Sequence, residues 1–117
     1  MSSQVDLPKY HEFHWPIIEA LRSLGGSATI EELNSTVIKN RAFTENQQSV
    51  LHHDGPTTEI EYRIAWGRTY LKGMGLAINS ERGVWTLTEH GHTVTLDKIE
   101  PLRKEYLAQY RKDAEDG

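Results

Sequence analysis

Four cations on one stretch of the chain, Arg63, Arg68, Lys72 and Arg82, are the side chains best suited to act on a partner. Arginine presents a planar fork of donors that matches a phosphate or the edge of a guanine, and lysine a mobile point charge. Against Glu59, Glu61 and Glu81 they leave residues 57–85 at net +1 in a chain of net −4, while the segments before and after are acidic. Phosphate neutralisation dominates non-specific nucleic-acid affinity, so this small excess predicts weak general binding. Six histidines supply the pairs His11-x-x-His14, His52-His53 and His90-x-His92. None has the spacing of a familiar zinc motif with an evident third ligand, so they read as surface or loop histidines and no metal is expected. Cysteine is absent, which removes disulfides, thiolate metal sites and cysteine nucleophiles. No Gly-rich phosphate loop, nucleophile elbow or carboxylate pair stands out, so neither a catalytic residue nor a cofactor is expected.

The cations need a frame, and residues 58–91 provide it. Thr58 followed three residues later by Glu61 is a capping box that starts a helix. Ile60, Ile64, Gly67, Leu71 and Met74 then recur at helical spacing, so one face can be buried. Gly73 and Gly75 stop it. Tyr62, Ala65, Trp66, Thr69 and Gly73 fall roughly opposite, an aromatic and small face that needs cover or a partner. Arg63, Arg68 and Lys72 flank it. Two short strands follow, at residues 76–78 and 84–87, joined by a turn over residues 79–83.

At 117 residues one domain is expected. A first helix is firm over residues 16–24, with Pro16 in its first turn and residues 10–15 a separate turn or kinked extension. Ile17, Leu21 and Leu24 are its buried stripe. Gly25-Gly26 ends it, and Ser27-Ala28 reads as a short strand pairing with the later hairpin. Thr29 and Glu32 cap a helix over residues 30–40, and Thr44 and Gln47 a short one over residues 45–51. A last helix spans residues 95–112, with Pro101 as its start or a bend. The expected fold is α+β, mainly α: a winged helix-turn-helix with a C-terminal helix. The domain is placed at residues 7–93, the C-terminal helix at 94–113 and loose termini at 1–6 and 114–117. With no apolar run long enough for a membrane span and no signal core, a cytoplasmic protein is expected.

Three blocks carry a resemblance: residues 21–26 (LRSLGG), 66–76 (WGRTYLKGMGL) and 82–91 (RGVWTLTEHG). In order and spacing they resemble the N-terminal winged-helix domain of Mrr-type restriction proteins, over about residues 7–93. The resemblance implies a DNA-recognition module, usually fused to a nuclease domain that cuts modified, often methylated, DNA. The segment after Val94 is too short for such a nuclease domain, and no Asp followed by Glu-x-Lys at nuclease spacing is present. The expectation is therefore a fragment or a stand-alone reader, to which cleavage is not assigned.

In helix-turn-helix proteins the second helix enters the major groove. Thr57, Thr58, Glu59, Tyr62 and Arg63 would then face base edges, with Thr58 merely capping and Arg63 pairing with Glu59 as the bland alternative. Arg68 and Lys72 are phosphate candidates, or a solvated flank. At the wing tip Asn79, Ser80 and Arg82 would meet the backbone or minor groove, or form an ordinary polar turn. Trp66 and Trp85 are expected to pack. The stripe Ile99, Leu102, Tyr106 and Tyr110 either covers the second face of the central helix or pairs with a second copy, and dimerisation is the reading taken. The expected partners are double-stranded DNA, a homodimer mate, and a nuclease domain or partner protein. A protein-interaction winged helix and a small dimeric transcription regulator are the alternative functions.

Overall fold

A computed structural model describes residues 5–116; the expectations placed on residues 1–4 and on Gly117 lie outside the described residues. A 3₁₀ turn over Tyr10–Phe13 runs straight into α1, His14–Ser23, so residues 10–13 are a turn joined to the helix and residues 14–15 already belong to it. Pro16 sits in the first turn of α1, where a missing N–H costs no intrahelical bond. Gly25 and Gly26 take φ of 86° and 96°, and the Gly26 amide closes the helix end on the Leu21 carbonyl at 2.7 Å. A glycine is needed there twice over, since a Cβ on Gly26 would also press into the His92 ring.

Next come β1 (Ser27–Thr29), α2 (Ile30–Asn40) and α3 (Glu45–Gln48). Both helices start with the reciprocal side-chain bonds that the Thr-x-x-Glu/Gln pattern predicts. α3 is shorter than expected. Val50 accepts a hydrogen bond from the Glu59 amide at 2.8 Å and Leu51 bridges Thr58, so this segment is drawn out of the helix into an extended pairing.

The central helix α4 spans Glu59–Gly73, with Thr58 and Glu61 forming its capping box at 3.1 and 3.0 Å. Gly75, at φ 79°, makes the exit, and β2 (Ala77–Glu81) and β3 (Val84–Leu87) follow. The sheet is antiparallel in the order β1-β3-β2, with Ser27 and Ile78 both opposite Thr86. The expected five-residue turn is narrower. Asn79, Ser80 and Glu81 belong to β2, the register shifts between Asn79 and Glu81, and the turn is Arg82-Gly83. Side chains hold the strand across that irregularity: Asn79 Nδ2 donates to the Val84 carbonyl at 3.0 Å, and the Ser80 and Thr86 hydroxyls meet at 2.8 Å.

A short helix the sequence reading lacked, α5 (Glu89–Thr93), is capped by the Thr88 hydroxyl, which accepts from the Gly91 amide at 3.0 Å. Here a Cβ on Gly91 would overlap the Leu76 carbonyl oxygen, so glycine lets α5 lie against the link between α4 and β2. Arg22, stacked over Trp15, donates to the carbonyls of Gly91 and Val94 at 3.1 and 2.6 Å and ties α5 back to α1. The last helix, α6 (Leu96–Asp116), carries Pro101 in its second turn, so the proline neither begins nor ends it.

The core lies between α1, α2, α4 and the sheet. Ile17, Ile18, Leu21, Leu33, Val37, Ile60, Ile64, Leu71 and Leu76 have no exposed surface, and Ile99 of α6 joins them. The result is the expected α+β, mainly α fold.

Candidate nucleic-acid interface

α4 presents three faces. Stepping about 100° per residue puts Ile60, Ile64, Gly67 and Leu71 inward. On one flank stand Glu61, Ala65, Arg68, Thr69 and Lys72. The other carries Glu59, Tyr62, Arg63, Trp66 and Tyr70. The candidate contact residues divide between these flanks instead of sharing one.

The first flank lies towards the sheet. Arg68 extends over the Trp85 ring, its guanidinium carbon 5.6 Å from the ring centre. Its Nε and Nη1 are buried without a hydrogen-bond partner, and burial pulls its pKa below that of a free guanidinium. Arginine stays charged under any such shift, so among the described residues this charge has no counter-ion. Lys72, one turn along, is exposed, as is Arg82 at the hairpin turn beside Gly83 (φ 74°). Neither makes an ion pair among the described residues. The Gly83 carbonyl accepts from the Ile30 amide at 3.1 Å, which fastens the turn to the start of α2. Asn79 and Ser80 already spend their side chains across the hairpin.

The second flank is heavily engaged. Arg63 Nε donates to Glu59 at 2.8 Å, Nη1 donates to the Pro8 carbonyl at 2.7 Å, and the guanidinium lies 4.9 Å from the Tyr10 ring centre. Glu59 also meets His52 Nδ1 at 2.9 Å. Burial opposes the Glu59 charge, but the bonds from Arg63 and His52 outweigh it and hold the carboxyl below the usual range. Any contact of Arg63 with a guanine edge would first have to release Glu59 and Pro8. Tyr62 stacks on His52 with ring centres 3.5 Å apart. Thr58 is occupied as the helix cap, and Thr57 is exposed with its carbonyl held by the His52 amide at 2.8 Å.

Rings continue from there without a break. Tyr62, Trp66, Tyr70, Tyr106 and Tyr110 follow at centre distances of 5.4 to 6.5 Å, mostly edge to face. Trp66 and Trp85 are both expected to pack; Trp85 is buried, whereas Trp66 is 45 % exposed. The i, i+4 spacing of Tyr62, Trp66 and Tyr70 is the sequence signal for this flank. Of the C-terminal stripe, Ile99 is buried, Leu102 and Tyr106 pack against the core, and Tyr110 is 62 % exposed. Tyr106 seats against Gly73, where a Cβ would overlap its ring. Much of the stripe is therefore used within one chain.

His14, half of the His11-x-x-His14 pair that reads as surface, is instead buried. It is 2 % exposed, stacks on Tyr70 at 5.4 Å and leaves Nδ1 without a partner. Burial first, and then the Arg103 charge, lowers its pKa to about 4. Among the described residues no three His, Asp or Glu side chains converge as a metal site. Nor, among the described residues, is any helix long and apolar enough to cross a membrane.

Fold and surface together define a small α+β module in which a capped central helix and an adjoining hairpin carry uncompensated cations. The Mrr N-terminal domain family matches residues 10–96, and the chain belongs to that family. This ties it to the restriction-system proteins of the Mrr type, through their N-terminal domain and not their nuclease domain. No curated protein and no solved structure matches the chain.

Proposed function

We propose that this chain is a non-catalytic, DNA-binding winged helix of a restriction or defence system, working in the cytoplasm. Residues 7–93 form the module and α6 extends it. α4 enters the major groove from the N-terminal end marked by Thr57 and Thr58, and the β2–β3 hairpin lies along the backbone as the wing. The observation that carries this reading is Arg68, a charge without a counter-ion on the flank of α4 nearest the hairpin, with Lys72 one turn on. An anion at its exposed edge would compensate it. Arg82 extends the same role to the wing, with Asn79 and Ser80 setting the shape of the strand that presents it. Tyr62 and Arg63 sit at the groove-facing end of α4, Arg63 braced by Glu59 and Tyr62 by the His52 ring. A modified, such as methylated, duplex is the target that the resemblance to Mrr-type restriction proteins implies. A second copy would pair through the outer half of α6, where Tyr110 is exposed.

Titration into matched methylated and unmodified duplexes at two salt concentrations tests this. Binding should weaken steeply with salt, because neutralised phosphates release counterions. Lys72→Ala and Arg82→Ala should each weaken binding on all sequences and reduce the salt slope by about one unit. Absence of binding to either duplex at low salt would reject the reading. The exposed Trp66 and Tyr110 would then favour a protein partner instead.

A further inference from the structure

A cavity of about 370 Å³ opens between the 3₁₀ turn, α4 and α6, on the opposite flank of α4 from the hairpin. Its walls include the rings of Tyr10, Tyr62, Trp66 and Tyr70, His14 belongs to its lining, and Arg103 reaches it from α6. Among the described residues no carboxylate lines it, in a chain of net charge −4. The volume falls within the range of small-ligand sites, which runs from about 300 to 1,000 Å³.

We propose that this cavity binds a nucleotide, with the base between the aromatic walls and the phosphate towards Arg103. Aromatic faces stack on any base, so such a wall favours a flat heteroaromatic ring without demanding one sequence. Among the described residues no carboxylate lines the cavity to hold the other familiar guest of an aromatic cage, a quaternary ammonium. Arg103 spends Nε and Nη2 on Glu100, which leaves Nη1 for an anion and fixes the direction of the fork. At the lining, neutral His14 carries an Nδ1 that nothing in the protein satisfies. A nearly buried polar atom without a partner costs free energy that a base edge or a bridging water would return. The inference does not rest on groove binding by α4, since none of Arg68, Lys72 and Arg82 belongs to the cavity.

Two sources share this chemistry: a free nucleotide and an unpaired nucleotide of a strand. The test follows the indole N–H of Trp66 by NMR while the full chain is titrated with deoxyadenosine monophosphate, with deoxyadenosine, and with a short deoxyadenosine oligonucleotide. Saturable shifts at Trp66, with the nucleotide tighter than the nucleoside, are expected. Equal affinity for nucleotide and oligonucleotide identifies the free ligand, and a tighter oligonucleotide identifies the strand. Trp66→Ala removes an exposed side chain and should weaken binding by about tenfold or more, followed by calorimetry. Arg103→Gln should abolish the preference for nucleotide over nucleoside, while Lys72→Ala leaves all three affinities unchanged. Absence of saturable shifts with any ligand at millimolar concentration, or full affinity in Trp66→Ala, would overturn the proposal. Neither result would bear on duplex binding through Lys72 and Arg82.

Discussion

His14 links the amino-acid composition to a measurable property. Its neutral form is the buried one, because α1 and α4 close over it and its folded pKa is about 4 against an ordinary 6.5. The unfolded chain therefore takes up a proton before the folded chain does. Stability from this group is complete above about pH 6.5 and declines as pH falls to about 4, by roughly 3 kcal/mol in all. Urea midpoints measured across this range should fall towards acid, and His14→Phe should flatten the slope. Glu59, whose pKa is also lowered, acts further down: its contribution is present above the ordinary glutamate range and is lost as pH drops through its folded value. Little of this was legible in the sequence. His14 looked like half of a surface pair with His11, and only the packing of α1 on α4 reveals that one is buried and the other exposed. Arg63 tells the same story. The pairing with Glu59 four residues earlier could be read from helical spacing, whereas its bond to the Pro8 carbonyl spans 55 positions and could not.

Elements with local signatures were legible from the residues alone. Thr29-x-x-Glu32, Thr44-x-x-Gln47 and Thr58-x-x-Glu61 each begin the helix they predict, because capping satisfies backbone donors inside one turn. Elements shaped by distant partners were not: α3 loses its last residues to a pairing with residues 58–59, and the wing turn shrinks because Thr86 holds Ser80. α5 combines both cases. Its cap is local, but its position depends on Gly91 lying against the Leu76 carbonyl. Gly91→Ala should cost about 1–3 kcal/mol as an overpacking change, since backbone cannot step aside as a side chain can. Chemical denaturation would show it, with Thr88→Ala as a comparison for loss of the cap at about 1 kcal/mol. A neutral Gly91→Ala would mean that α5 does not lie against the Leu76 carbonyl.

For the whole molecule, the aromatic run from Trp66 to Tyr110, exposed at its two ends, and the uncompensated cations face different directions around α4. The acidic net charge therefore misrepresents the surface towards the hairpin. It also bears on assembly. Ile99 and Leu102 serve the chain's own core, so a proposed pairing of copies rests on the outer turns of α6. Sedimentation over a concentration series should show weak, concentration-dependent self-association, and Tyr110→Ser should shift it to the monomer. A monomer at every concentration for the unmodified chain would reject pairing.

The position of β3 between β1 and β2 has a consequence for how the chain is made. Ser27 meets Thr86, 59 residues later, and among the described residues β1 has no other strand to join. During synthesis at about 5–20 residues per second, β1 waits roughly 3–12 s for its partner to be translated. Through that interval Gly26, Ser27 and Ala28 are an open edge, and the helices already made must keep it from neighbouring chains. The sheet thus closes only after the four helices α1 to α4 have been made, although one of its strands is among the first parts to emerge.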